Sequence, residues 1–473
     1  MFPWNPAAGG GRLHINAPNR TPSVPPYNPQ NRAVGSSSHA LERLPSSEWE
    51  PKPSTYPAPA APRTPTTLRA RKRQHEDYST PVVKRYRLDS SSHSLNRSPY
   101  IFLPPTNHPQ PVVEGSVISG YPHLCFPWYP EVSTVPQGYN NLQTYASDKL
   151  SKQMIELFEA CKQQTSDLDR KEMCRAQLQK DIQYVYPGAR LYLTGSSMNG
   201  LGCRSSDADL CLVLKEVKRQ DSIHALSLLQ GLVKSLSYIG KTQLIRAKVP
   251  ILRFREKGSE LEFDLNINNT VGIRNTFLLR SYAHADVRVR PIILVVKKWA
   301  RHNQINDASK GTLSSYGLVL MILHYLQTVR TPVLPSLQRD YPGCFDPDMA
   351  IDMVPDGSKN IPSYNSRNQS SLGELLLGFL RYYAVHFRWN EQVISVREGK
   401  VLPKNNSFEW RNKYVCVEEP FERNNVARAV HEKIKFDAIK AQFVESFQAL
   451  QSRRDLDSIL PVSSIIKAES LGR

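Results

Sequence analysis

LTGSSMNGLGCRSSDADLCLVL, residues 193–214, places a Gly-Ser turn eleven residues ahead of an Asp-X-Asp pair, and this stretch decides the fold. Side chains alternate faces along a strand, so Asp207 and Asp209 point one way while Ala208, Leu210, Leu212 and Leu214 point into a core. Two carboxylates on one face repel each other unless a cation neutralises them. Mg²⁺ suits that role, because it takes hard oxygen ligands and keeps positions open for water and substrate phosphates. Upstream, Gly195 and Ser196 read as a phosphate cradle, offering unobstructed backbone N–H groups and a hydroxyl.

An Asp-X-Asp pair alone also fits the solvent face of an ordinary edge strand. A second strand with the same pattern separates the two readings. Leu261, Phe263, Leu265 and Ile267 form one apolar face there, and Glu262, Asp264 and Asn266 the other. Asp264 is thereby expected to meet the first pair across a sheet. Three carboxylates can hold two metals, which stabilise the attacking and leaving oxygens of an in-line displacement at phosphorus.

Gly-Ser, Asp-X-Asp and a third Asp on a later strand resemble the signature of the DNA polymerase beta-like nucleotidyltransferases. NTFLLRSYAHADVRVRPIILVVKKWARHNQINDASKGTLSSYGLVLMILHYLQ (275–327), SLGELLLGFLRYYAVHF (371–387) and YVCVEEPFERNNVARAV (414–430) narrow it further. Together they resemble the template-independent RNA nucleotidyltransferases that carry a poly(A)-polymerase-associated domain, most nearly the cytoplasmic poly(A) polymerases of the germline-development (Gld) type. The likeness covers roughly residues 145 to 465.

That resemblance implies a polynucleotide adenylyltransferase that uses Mg²⁺ or Mn²⁺ and takes ATP as substrate, with Asp207, Asp209 and Asp264 as catalytic metal ligands. It assigns Gly195 and Ser196 to the phosphate turn, Asn275 to the ribose hydroxyls and Lys297 to the triphosphate. Arg301 stands where relatives carry a second lysine, so the charge is kept but the fork geometry differs. Ser315 falls on phosphate, Tyr316 on the base, and Asn424 and Asn425 in the base-selecting segment. Taken without the family, Tyr316 opening an apolar helix reads as packing, Lys298 as a solvated neighbour and Trp299 as core. Uridylyltransferase relatives place a histidine just before the Asn of a PFE...N-V-[AG]-R segment. Residues Pro420 to Arg428 are one shorter and contain no histidine, which leaves room for a purine and favours ATP over UTP.

A net charge of +18 and a pI near 9.5 fit a polyanionic partner. No apolar run has transmembrane length, and the start, MFPWNPAAGG, lacks the apolar region of a signal peptide. The seven cysteines show no metal-ligand spacing and read as free thiols of a reducing compartment. The likeness implies a cytoplasmic enzyme, with the nucleus as an additional location, and no membrane association.

Composition breaks near residue 140, before which lie 24 of the 36 prolines. Residues 1–140 read as a disordered tail, since they cannot bury enough apolar surface to offset chain entropy. Its basic clusters, Arg69 to Arg73 and Lys84 to Arg87, fit a nuclear import signal, an RNA-touching arm or a solvated charge run equally. Its aromatic patch, Tyr121 to Tyr129, fits a docking peptide or a segment packed on the body. From Asp148 the spacing of Leu150, Met154, Ile155, Leu157 and Phe158 predicts a helix. The expected architecture is α/β plus α. A mixed-sheet nucleotidyltransferase palm spans 183–270, and a mainly helical central domain spans 141–182 and 271–473, with the poly(A)-polymerase-associated segment near 370–430. The nucleotide is expected in the cleft between them.

No RNP-type aromatic pair, KH-placed GXXG or zinc-finger spacing is present. Backbone-phosphate contacts are therefore expected to hold the RNA 3′ end weakly. The resemblance implies that RNA-binding adaptors, such as cytoplasmic polyadenylation element-binding proteins, bring messenger RNA to the enzyme, with microRNA as a further substrate class. Two rival readings remain: a uridylyltransferase of the same fold, and a catalytically silent scaffold that binds RNA or protein.

Overall fold

The computed structural model describes residues 142–215, 217–354, 360–405 and 407–471. The Pro-rich tail with its basic and aromatic clusters lies outside them.

The palm is one five-stranded mixed sheet. Its strands are β1 (Arg190–Thr194), β2 (Ala208–Val213), β3 (Ile239–Ile245), β4 (Ile251–Glu256) and β5 (Glu262–Ile267), in spatial order β1-β2-β5-β4-β3. All neighbours are antiparallel except β2 and β5, which run parallel with Asp209 opposite Asp264. Period-two alternation turns Ala208, Leu210, Leu212, Phe263 and Leu265 to one face, all buried. Two helices seal that face, α2 (Thr165–Val185) through Cys174, Leu178 and Ile182, and α3 (Ser222–Ser235) through Leu226, Leu229 and Val233. On the other face, Tyr192 and Cys211 pack against Ile273 and Phe277 of α4 (Val271–Ala285).

The second body is helical. Its main helices are α1 (Lys149–Cys161), α5 (Val289–His302), α6 (Ser315–Thr328), α7 (Leu372–Arg381), α8 (Lys433–Arg453) and α9 (Val462–Leu471). Asp148 caps α1 by accepting from Ser151 N at 2.8 Å, and Leu150, Met154, Leu157 and Phe158 form the buried stripe. Ser314 caps α6 through Gly317 N, and Ser371 with Glu374 forms a capping box on α7. The apolar run from Leu372 to Phe387 is one helix only to Arg381. It then widens into a π-turn, Tyr382–His386, that swings Tyr383 and Phe387 into an aromatic cluster with Trp389 and Phe443.

Trp299 is fully buried and donates its indole N–H to Ser446 Oγ at 2.9 Å, so its reading as core holds. Truncating such a side chain costs about 3–5 kcal/mol. Lys298 is no solvated neighbour, because its ammonium pairs at 2.5 Å with Glu469 of α9 and is 20% exposed. The expected boundary at residue 183 also shifts. Helix α1 belongs to the helical core and α2 to the palm, so the chain passes between bodies near residue 163. The polar surface of α2 hid its attachment, since only three of its apolar side chains reach the sheet core as buried residues. All six described cysteines are free thiols.

Candidate active site

Between the two bodies lies a cleft of about 860 Å³, within the size range of small-molecule sites. Asp209 projects into it from β2, Asp207 from the residue before that strand, and Asp264 from β5. Desolvation is the largest effect pushing the Asp209 carboxyl up to about 6, followed by the Asp264 and Asp207 charges. Asp207 is raised too, by desolvation and then by Glu262 and Asp264. Among the described residues neither Asp207 nor Asp209 has a cation within ion-pairing distance. An acidic cluster of mutually raised carboxyls suits a hard divalent cation.

Asp264 is held differently. Arg253 of β4 grips it with two hydrogen bonds, Nε to Oδ1 and Nη2 to Oδ2, both 2.8 Å, and also pairs with Glu262 at 2.9 Å. With both oxygens of Asp264 turned to the guanidinium, no three acidic, His or Cys side chains among the described residues stand ready as a metal cage. Asp264 sits opposite Asp209 in strand register and its charge raises the Asp209 pKa, while a cation reaching Asp264 must compete with Arg253. Alternation along β4 carried this signal, because Leu252 and Phe254 are buried while Arg253 and Arg255 share the polar face with Glu262 and Asp264.

Gly195 acts through space rather than as a donor. Its φ of +65° is left-handed, and a Cβ there would lie 2.2 Å from Asp209 Oδ2. Its N–H, expected to be free for phosphate, donates to Thr276 Oγ1 at 2.8 Å. Ser196 lines the cleft beside it. Facing the turn, α5 supplies Lys297, Lys298 and Arg301. Lys297 Nζ donates to Leu201 O at 3.0 Å, and desolvation is the chief cause lowering its pKa. Ser315, at the start of α6, donates to Asn306 Oδ1 at 3.1 Å.

Tyr316 follows Ser315, its hydroxyl donating to Glu419 Oε1 at 3.0 Å. Burial, then the Glu419 charge, raises its pKa well above the ordinary tyrosine range. Asn275 lines the same wall, and its Oδ1 is buried with no hydrogen-bond partner among the described residues. Such an orphaned acceptor in a cleft wall fits a hydroxyl-bearing ligand.

The rim is the segment Glu419 to Ala429. Glu419 also accepts from Phe421 N at 2.8 Å and from Glu422 N, while Asn424 Nδ2 donates to Glu422 Oε2 at 2.8 Å. Asn424 lines the cleft, but Asn425 does not. Asn425 is 1% exposed, its amide donating to Val415 O and its carbonyl accepting from Val417 N and Ala427 N. It braces the loop from behind. Sequence reading passed over Arg219, which reaches across from the palm to Glu422 at 2.7 Å and to Asn269 at 3.2 Å. It also passed over Thr276, Asn306 and Glu419, whose roles depend on contacts distant in sequence.

The family model for the central palm domain of mitochondrial-like poly(A) RNA polymerase matches residues 150–284, and that of the Cid1 family poly A polymerases matches 371–425. The chain is 51% identical over 423 residues to the Xenopus laevis poly(A) RNA polymerase GLD2-B, covering 85% of this chain and 81% of that protein. This chain belongs to the poly(A) RNA polymerase GLD2 family. The Danio rerio member is 63% identical over 319 residues, a match spanning 67% of this chain and 65% of that relative's length. Among solved structures, a GLD-2/RNP-8 complex superposes with a TM-score of 0.59 at 37% identity, covering 66% of this chain and 96% of that one. The Cid1 poly(U) polymerase, in a structure described as revealing the mechanism for UTP selectivity, superposes with a TM-score of 0.56 at 30% identity over 67% and 98%. The family is one of nucleotidyltransferase-fold poly(A) polymerases, so divalent metal and nucleotide substrate belong to its chemistry.

Proposed function

We propose that this protein extends RNA 3′ ends with AMP from ATP, without a template. One observation carries the reading: Asp209 and Asp264 are register partners on parallel strands, with Asp207 beside them, and open on a cleft whose far wall supplies Lys297, Arg301, Ser315 and Tyr316. The three aspartates would hold Mg²⁺ or Mn²⁺, which when bound lowers the pKa of the RNA 3′-hydroxyl and offsets charge at the α-phosphate. Ser196 and Ser315 offer hydroxyls to phosphate oxygens, and Lys297 with Arg301 balances the triphosphate charge. Asn275 Oδ1 accepts from a ribose hydroxyl. The ring of Tyr316, pinned by Glu419, offers its face to the base. Asp264 would receive the proton of the attacking hydroxyl once Arg253 releases one oxygen. Pyrophosphate leaves toward the basic wall.

Base choice is assigned to the rim. Val426 and Ala429 line it, and no histidine lies between Glu419 and Ala429, which supports ATP over UTP. Two of the solved relatives are complexes with a second protein, RNP-8 or GLD-3, which supports recruitment through partner proteins. Adaptors of the cytoplasmic polyadenylation element-binding class, messenger RNA and microRNA as substrates, and a cytoplasmic and nuclear distribution complete the reading. No helix among the described residues is long and apolar enough to cross a membrane. Incorporation assays with Mg²⁺, an oligo(A) primer and each nucleoside triphosphate test it. ATP is expected to be used best; a UTP preference would favour the uridylyltransferase reading, and no incorporation at all the silent scaffold.

A further inference from the structure

Behind the phosphate turn, on the side away from the cleft, sits a buried cation that the mechanism above does not use. Lys171, on the second turn of α2, is 0% exposed. Its ammonium donates to Ser197 Oγ at 3.1 Å and to Gln163 Oε1 at 2.9 Å. Gln163 in turn donates Nε2 to Ser197 O at 2.9 Å, and its backbone N–H to Gly202 O at 3.0 Å. Both acceptors of Lys171 are neutral. Among the described residues no carboxylate lies within ion-pairing distance of its Nζ.

A desolvated ammonium without a paired anion is an expensive way to tie down a serine, since a neutral donor would make the same hydrogen bond. The nearby charges suggest why a cation stands there. Burial pushes the Lys171 pKa down to about 8, while Asp167, Asp209 and Asp207, in that order, hold it up. Reciprocally, Lys171 lowers the pKa values of Asp207 and Asp209. Its field therefore reaches through the turn to the acidic cluster. The far end of the same loop is fixed by two more cations of α5, Arg290 donating to Gly200 O at 2.8 Å and Lys297 to Leu201 O at 3.0 Å. The loop from Gly195 to Gly202 is thus strung between a palm helix and a helix of the other body. Its slack is small, because a Cβ on Gly202 would lie 2.8 Å from Ser196 O.

We propose that Lys171 is a positioning residue for the nucleotide triphosphate: through Ser197 it fixes the Gly195–Ser197 turn in its phosphate-accepting form and sets a positive charge behind it. Lys171 does not line the cleft, so it acts through the turn and touches no reacting atom. The inference rests on the phosphate-binding role given to that turn above.

The test uses the full chain with Lys171→Met, which keeps length and removes charge, and with Ser197→Ala, which removes the hydroxyl and leaves the charge. AMP incorporation into oligo(A) gives KM for ATP and kcat, calorimetry gives the Kd of Mg·ATP, and thermal melting reports folding. Lys171→Met is expected to raise both KM and Kd for ATP by about tenfold, the factor for losing one charge-assisted hydrogen bond, with kcat and the primer KM little changed. Ser197→Ala is expected to reproduce about a third of that factor, and the double variant to be no worse than Lys171→Met alone. A folded Lys171→Met variant whose ATP Kd is within about twofold of the parent overturns the proposal, as does a loss confined to kcat. Should Lys171→Met fail to fold, an unchanged Kd in Ser197→Ala overturns it instead. Parent protein that neither binds nor incorporates ATP refutes the proposed function itself, a result distinct from an unresponsive Lys171.

Discussion

The two walls of the cleft are built by opposite means. The palm wall takes its shape from ladder register: Asp209 faces Asp264 because β2 and β5 pair residue by residue, and each carboxylate follows from period-two alternation. The rim wall, Glu419 to Ala429, has no such ladder. Its form depends on side chains such as Asn425 and Glu419 hydrogen-bonding the backbone. The difference teaches that the proposed chemistry rests on the part of the fold that is hardest to deform, and the proposed base choice on a part that one or two side chains can reshape.

The largest expected effect attacks the ladder wall. Asp209→Asn keeps the fold and should reduce AMP incorporation by about 10³-fold or more, the scale for losing a carboxylate that would hold the metal. The same variant should melt higher than the parent when metal-free at pH 8. A carboxyl whose folded pKa is raised to about 6 stabilises the fold only while protonated, so the parent loses that stability as pH rises through 6 and the variant does not. The gain should shrink as pH falls from 6 toward the ordinary carboxylate range. Melting curves across that window check the sign, and normal turnover by folded Asp209→Asn would end the comparison.

Next comes the rim. Asn425→Ala leaves buried N–H and C=O groups without partners, each costing about 1–3 kcal/mol. Because the loop is short and local, kcat/KM for ATP should fall about tenfold or more while metal affinity, read by calorimetry, stays at the parent value. Equal damage to metal binding would show that the walls are not independent. A histidine inserted between Asn424 and Asn425 should raise the UTP-to-ATP ratio of kcat/KM by about tenfold, the scale of a single pocket contact; competition assays would measure it.

The smallest effect belongs to Arg253→Met. The Arg253–Asp264 pair is partly exposed, so it is worth about 1 kcal/mol at most. The half-saturating Mg²⁺ concentration should therefore fall by a few-fold as the competing guanidinium is removed, and a metal titration of incorporation would show a rise instead if the arginine only orients Asp264.

Much of the palm was legible because alternation is a local signal: Leu210 and Leu212 against Asp207 and Asp209, Phe263 and Leu265 against Asp264. The helical body was legible through apolar spacing such as that of Leu150, Met154, Leu157 and Phe158. What stayed hidden depends on contacts far apart in sequence. Gly195 reads as a donor until Asp209 is placed against it. Asn425 and Asn424 read alike, yet one braces the loop and the other faces the cleft. Lys171 carried no signal at all, since nothing near it in sequence announces that the Ser197 turn will cover it. The palm boundary moved for a related reason, as α2 touches the sheet with few apolar side chains.

The pocket draws its lining from segments as far apart as Thr194 and Ala429, in both the palm and the helical body. A guest held there gains only when the two bodies are docked, so saturation and resistance to heat are thermodynamically linked. At a free concentration one hundred times its dissociation constant, such a guest adds about 2.7 kcal/mol against unfolding. A dye-monitored melt run over a panel of triphosphates would thus rank their affinities without a single turnover.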